Sequence, residues 1–236
     1  MRIAVENIER SCPEAEIYED LLTLDSRNIL ELGCGSATIT RDIATTGRDR
    51  RITAMEVDEI AHAKNLEITD LPNVTFVLAG AEEIPLENES MDVVLMFKSL
   101  HHVPLDRMDA AMREVSRVLR PGGVAYISEP IFAGAFNDIL RLFHDESRVR
   151  EAAFGAVRKA VEAGRFELVG QTFFNAPGEF ASFADFEDRI LKVTHTRHNL
   201  SDEVYALVKQ RFEQHLGPDG AHFRQPVRVD LLRRPG

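Results

Sequence analysis

The sequence predicts an α/β protein built on a doubly wound, mostly parallel sheet of seven strands. Three observations lead there. Short apolar runs recur through the first half of the chain, and helical patterns separate them. The runs lack the alternation of a half-solvated strand, so both faces are buried, as in parallel sheets covered by helices. Beyond Pro130 the pattern turns mostly helical, with only two further strand-like segments.

Asn28 to Leu32 reads as a buried strand that ends at glycines, and a helix follows over Thr38 to Thr46. Arg51 to Glu56 and Val74 to Leu78 read as the next strands, with a helix over Glu59 to Leu66 between them. Asp92 to Phe97 is a fourth strand and Gly123 to Ser128 a fifth. The helix between those two is the clearest: Met108, Ala111, Met112, Val115, Val118 and Leu119 share one face. Asp106 is placed to cap its start, and Pro121-Gly122-Gly123 to end it. Ile131 to Gly164 reads as helical, Arg165 to Phe174 as a strand, Phe183 to Thr194 and Ser201 to Leu216 as helices, and Pro226 to Leu232 as the last strand.

The 236 residues suit a single domain over 1–236, and 44% hydrophobic residues supply a core of ordinary size. The net charge of -11 repels phosphate backbones and argues against nucleic acid as the partner. Two cysteines, Cys12 and Cys34, read as unpaired thiols of a reducing compartment. No apolar run has transmembrane length and the N-terminus is charged, so the expectation is a cytoplasmic protein without membrane contact.

The sharpest motif runs from Ile29 to Thr38: strand, Gly33-Cys34-Gly35, helix. Glycines there let the chain turn tightly and let a ligand approach the backbone. Glu56 ends the second strand about 20 residues later, where dinucleotide folds place an acid that accepts ribose hydroxyls. Asp58 competes for that role, but the strand ends most naturally at Glu56. A dinucleotide loop needs its third small residue at position 38, which is Thr38; Ala37 lies one place earlier.

Glu31, Gly33, Gly35 and Ala37 instead resemble motif I of the class I S-adenosylmethionine-dependent methyltransferases. Phe76 to Leu86 resembles that family's adenine segment, Ser90 to Phe97 its fourth strand, and Leu100 to Val103 and Leu119 to Gly123 its next two signatures. The subfamily resembles the broad type 11 group. The resemblance implies a Rossmann-like sheet closed by an antiparallel last strand, with residues 28–130 as the cofactor-binding core. It implies that Glu31, Gly33, Cys34 and Gly35 hold the methionine portion of S-adenosylmethionine and that Glu56, with Val57 beside it, holds the ribose. Gly80, Ala81 and Glu82 would face the adenine, and Phe97 and Lys98 the methionine end. Where the family often carries Asp, this chain has Gly80, which leaves the adenine amino group to a backbone carbonyl or to Glu82.

A sulfonium already activates its methyl group, so the protein must mainly align the reactants, with a base only where the acceptor loses a proton first. The candidates at the carboxyl ends of the strands are His101, His102 and Glu129, with Lys98 as an ion-paired or substrate-binding group. Only one of two successive histidines is expected to face a pocket. His144-Asp145-Glu146 reads as a solvated helix face, and His195 and His198 as a loose pair, so no metal site is expected. The helical segments 131–164 and 179–217 are expected to cover the substrate pocket, with Phe132 to Phe136 as a wall; Phe180, Phe183, Phe186 and Phe212 are expected mainly to pack helices. The function expected is methyl transfer to a small-molecule acceptor. The rivals are S-adenosylmethionine binding without turnover and nicotinamide-dependent oxidoreduction.

Overall fold

Strand β1 (Asn28–Leu32) seats the sheet: Ile29, Leu30 and Leu32 are buried, and its one acid, Glu31, is buried with them. The computed structural model describes residues 1–192 and 200–236. Around β1 run β2 (Arg51–Glu56), β3 (Val74–Leu78), β4 (Met91–Phe97), β5 (Leu119–Pro130), β6 (Glu167–Phe180) and β8 (Gly220–Arg233) in the order β3-β2-β1-β4-β5-β8-β6. The first five strands pair in parallel, and β8 lies antiparallel to both β5 and β6. A two-residue strand, β7 (Leu216–Gly217), adds an eighth by pairing with β8. The predicted architecture is therefore present, with its order reversing between β1 and β4, the place where such sheets bind ligands.

One face of the sheet packs on α4 (Met108–Val118) and α6 (Ser147–Glu162), through Met108, Met112, Val115 and Val157. The other packs on α1 (Glu14–Leu21) and α2 (Thr38–Thr45), through Ile17, Tyr18 and Ile43. The sequence reading did not foresee α1, whose charged residues hide a short buried face; acids at its first turn, Glu14 and Glu16, suit the positive end of the helix dipole. The helix α3 (Glu59–Asn65) begins at Asp58, whose side chain accepts the Ile60 and Ala61 amides.

Several expectations change. Asp106 does not cap α4, because Pro104 to Arg107 forms a turn that leads into the helix through Arg107. Pro121-Gly122-Gly123 does not end that helix: Val118 does, and β5 begins at Leu119, with the Pro-Gly-Gly residues in an irregular stretch of the β4–β5 ladder. The long helix α6 joins the sheet layer through Ala153, Ala156, Val157 and Ala160, so only its first turns reach the ligand edge. Strands β6 and β8 are much longer than predicted and run past the sheet as a two-stranded arm, paired out to Phe180 and Ala221.

That arm carries a separate aromatic core with α5 (Ala135–Leu140), α7 (Phe183–Phe186) and α8 (Asp202–Glu213). Phe180, Phe183, Phe186, Phe212 and Phe223 pack ring against ring, Phe186 and Phe212 at 4.8 Å between centroids. The packing role expected for these phenylalanines holds. The helix expected over Phe183 to Thr194 is α7 followed by a wider π turn over Glu187–Leu191, and its end lies outside the described residues. Among the described residues, no helix is long and apolar enough to cross a membrane.

Phe212 is fully buried at the centre of this cap. Phe212→Ala should cost about 3–5 kcal/mol in urea unfolding, the usual penalty for emptying an aromatic site. A loss below about 1 kcal/mol would show that the aromatic cluster is not a packed core.

Candidate active site

The glycine turn at the end of β1 is held from three directions. The Gly33 and Cys34 amides both donate to the Met55 carbonyl at 2.9 Å. Gly33 has φ +76°, and a Cβ there would lie 2.6 Å from the Ser99 Cβ. No side chain fits at position 33. Ser99 donates to the Leu32 carbonyl at 2.6 Å, so the loop after β4 is pinned to the end of β1. Gly35, at φ +54°, has open space where its Cβ would be. Ala37, at φ +58°, enters α2 without a side-chain cap.

Glu56 fastens this turn to β2. Its Oε2 accepts the Gly35 amide at 2.7 Å, and its Oε1 accepts the Val57 and Asp58 amides at 2.8 and 2.9 Å. A carboxylate offers roughly four lone-pair positions, so three amides leave one for a ligand hydroxyl. Asn65 steadies the same turn, donating to the Gly35 carbonyl at 2.8 Å and to the Cys34 sulfur. Burial pushes the Cys34 thiol up to about 12, so it is an inert part of the turn. Glu31 lies beneath, 2% exposed, and accepts the Thr40 hydroxyl at 2.7 Å. Burial raises its carboxyl to about 7 despite that hydrogen bond.

Beside the turn an open cleft runs along Leu78, Ala79, Gly80 and Glu82 and is faced by Pro104, Asp106 and Arg107. A Cβ on Gly80 would meet the Glu82 carboxylate at 2.5 Å. Glu82 thus occupies the space that a side chain at position 80 would take.

A second cleft, of about 310 Å³, opens past the ends of β4 and β5. Its walls include Lys98, His101, His102, Phe136, Glu146 and Arg150, with Ile190 and Pro226 opposite. Glu129 is 1% exposed at the end of β5. One of its oxygens accepts the Leu100 amide at 3.0 Å and the other lies 2.6 Å from His101 Nδ1. The Nε2 side of His101 faces Glu146, 3.8 Å from Oε1. His102 is exposed, with its ring centroid 4.1 Å from that of His101.

A model of a methyltransferase domain matches residues 29–123. An O-methyltransferase of Aspergillus nomiae is 30% identical over 167 residues, covering 68% of this chain and 71% of that protein. The chain belongs to the S-adenosylmethionine-dependent methyltransferases. An uncharacterized methyltransferase of Mycobacterium tuberculosis is 37% identical over 122 residues, covering 51% of this chain and 47% of its own, so the chain spans about half that relative's length. In the solved structures, an S-adenosylmethionine-dependent methyltransferase of Methanosarcina mazei shares the fold at TM-score 0.58 and 17% identity, over 93% of this chain and 97% of that one. The [4+2]-cyclase SpnF shares it at TM-score 0.61 and 19% identity, over 93% and 79%.

For a methyltransferase, the two clefts fit a donor and an acceptor. The open space over Gly35 and the groove at Gly80 lie at the ends of β1 and β3. The sequence-predicted residues fall into two groups. Glu31, Gly33, Cys34, Gly35, Glu56 and Val57 come together at the glycine turn, and Gly80 and Glu82 line the neighbouring groove, with Ala81 between them buried in the core. His101, His102 and Lys98 line the cleft past β4 and β5; Glu129 lies behind His101. Lys98 is ion-paired with Glu14 of α1. Phe97 is buried between Tyr18 and Tyr126, ring centroids 5.6 and 5.5 Å away. Phe136 lines the cleft, whereas Phe132 turns to the guanidinium of Arg150.

Glu146 is the residue the sequence reading misplaced. It is 7% exposed, not on a solvated face, and it joins Arg150, His144 and His101 at the cleft. Burial alone would raise its carboxyl, but Arg150 first and His101 next hold it below the usual range. The signal was present: Glu146, Arg150, Ala153, Val157 and Ala160 recur at helical spacing, continuing the buried stripe of α6. His195 and His198 lie outside the described residues.

Two measurements follow from this geometry. Glu56→Gln should weaken S-adenosylhomocysteine binding by roughly tenfold or more, since losing a charge-assisted acceptor costs about 1.5 kcal/mol or more. Asp58→Asn, which keeps the cap of α3, should change it less than about twofold; calorimetry giving the reverse order would move the ribose acid to Asp58. The second concerns Glu31. Its folded-state pKa lies above the ordinary value, so its contribution to stability is complete below the unfolded pKa and is lost as pH rises through about 7. Glu31→Gln should therefore flatten the decline of melting temperature between pH 5 and 8, a window set by those two pKa values. An unchanged pH slope would mean that Glu31 is not held protonated.

Proposed function

We propose that this methyltransferase moves the methyl group of S-adenosylmethionine to an oxygen of a small, partly apolar molecule held in the cleft past β5. The observation that carries this reading is the His101–Glu129 pair at 2.6 Å. Glu129 accepts from the Nδ1 side and so fixes the ring with Nε2 turned to the cleft, where the neutral imidazole offers its lone pair. That lone pair is the Lewis base an acceptor hydroxyl needs close by when it gives up its proton. The names of two relatives agree with an oxygen acceptor. They are the Aspergillus enzyme and a 27-O-demethylrifamycin SV methyltransferase of Amycolatopsis mediterranei, 34% identical over 139 residues, which cover 55% of this chain and 47% of that one.

When bound, S-adenosylmethionine supplies an electrophilic methyl group on its sulfonium. The chain's own residues then divide the work. Gly33, Cys34 and Gly35 pass beneath the methionine portion, and Glu31 orients the turn. Glu56, with Val57 beside it, receives the ribose. Ala81 and Glu82 face the adenine, and Glu82 does so in the space left by Gly80. Lys98 closes the methionine end, and Phe97 supports it from the core, packed between Tyr18 and Tyr126. Glu129 orients His101, and Phe136, Leu140 and Ile190 from the cap give the acceptor an apolar wall. The whole chain, 1–236, acts as one domain, with residues 28–130 binding the donor and the segments 131–164 and 179–217 choosing the acceptor. The net charge of -11 and the narrow cleft favour a small molecule over nucleic acid.

The test is methyl transfer to a panel of hydroxylated aromatic and polyketide-like acceptors, with His101→Gln beside the parent protein. His101→Gln should lower turnover by at least about 100-fold, the lower range for a proton-handling side chain, and leave S-adenosylhomocysteine affinity within about twofold. Full turnover in His101→Gln would remove this residue from the chemistry.

A further inference from the structure

We propose that His101, His102 and Glu146 form a site for one divalent transition-metal ion of the zinc class at the floor of the acceptor cleft. The inference rests on reading that cleft as the acceptor site; with an ion on His101 Nε2, polarisation by the ion, in place of proton transfer to the imidazole, would acidify the acceptor hydroxyl. One nitrogen of each imidazole and one oxygen of Glu146 lie within 4.8 Å of one another. His101 Nε2 and Glu146 Oε1 are 3.8 Å apart. Two ligands on one tetrahedral zinc, each about 2.1 Å from it, sit roughly 3.4 Å from each other, so shifts of side-chain size close the set.

The surroundings are those a metal site needs. Metal-binding imidazoles donate their other N–H to a carboxylate, and His101 Nδ1 lies 2.6 Å from Glu129 Oε2 in this way. Glu146 is oriented from behind by Arg150, which binds Oε2 and is itself held by Asn137 at 3.0 Å. That leaves Oε1 toward the histidines, with His144 Nε2 3.1 Å from it as a further nitrogen at the rim. The charges also allow it: Glu129 and Glu146 carry two negative charges against the single positive charge of Arg150, so a dication is partly balanced. Two imidazoles and one carboxylate suit zinc-class ions and leave a coordination position open. Here the open side faces the cleft, where an acceptor hydroxyl or carboxylate oxygen can bind. Hard ions such as Mg²⁺ prefer all-oxygen sets and are not favoured.

The test is metal binding to the untagged full-length chain, stripped with chelator. Co²⁺ is followed by its visible absorption, and Zn²⁺ by calorimetry and by displacement of Co²⁺. We expect one ion per chain. His102→Ala and Glu146→Gln should each weaken it by at least about tenfold, and Glu129→Gln by about 10–100-fold, the usual loss when the carboxylate behind a ligating imidazole is removed. His102 is exposed, so its replacement leaves the fold intact. S-adenosylhomocysteine binding reports independently on the fold and the donor site. Metal affinity unchanged in His102→Ala, or absence of binding in a parent protein that still binds S-adenosylhomocysteine, overturns this site and leaves the methyltransferase reading standing. Metal binding without S-adenosylhomocysteine binding would do the reverse.

Discussion

The junction of Gly33 with Ser99 is the constraint on which the rest of the site depends. At the switch point of the sheet, the turn after β1 and the loop after β4 approach so closely that even a methyl group on Gly33 would collide with the Ser99 side chain. The Ser99 hydroxyl then ties the two together through the Leu32 carbonyl. From this junction the chain diverges. One branch, through Gly35 and Glu56, shapes the donor groove; the other, through Lys98, His101 and His102, shapes the floor of the acceptor cleft. On the proposed function, this brings donor and acceptor to neighbouring points by the covalent continuation of two adjacent strands, the alignment that methyl transfer requires.

The charged groups of the site are assembled from distant elements, and each is answered by a neighbour. Glu56 is satisfied by three backbone amides. Glu31 is buried with one hydroxyl and shifts toward its neutral form. Lys98, in the left-handed region at φ +55°, reaches Glu14 on a helix that precedes the sheet. Glu146 is shared between Arg150 and two histidines. A buried carboxylate without such partners would be costly, so this arrangement limits how the cap and the sheet can sit at the cleft.

Most of the glycine turn was legible in the sequence, because its signals are local. A strand, a glycine turn, a helix and an acid ending the next strand lie close together in the chain, and backbone geometry forces their residue types. The acceptor side was less legible, because its contacts join residues far apart in the chain. Glu14 meets Lys98, and Glu146 meets His101, only after the fold is complete. Asp106 shows the opposite error: its residue type suited a cap, but the turn from Pro104 brought Arg107 to that place. The long arms of β6 and β8 were missed because their outer halves mix polar and glycine residues with the apolar ones, and the burial of Phe180, Ala221 and Phe223 arises only where the arm meets the cap helices.

The central claim is that one junction sets donor and acceptor side by side, and a crystal structure with S-adenosylhomocysteine tests it most directly. The account predicts the ribose on Glu56, the adenine along Gly80 to Glu82, and the sulfur directed toward His101. A methyl group built on that sulfur should leave room for an acceptor oxygen about 3–3.5 Å away, at the Nε2 side of the imidazole. A sulfur pointing away from the His101 cleft, or a ribose held elsewhere than Glu56, would contradict it.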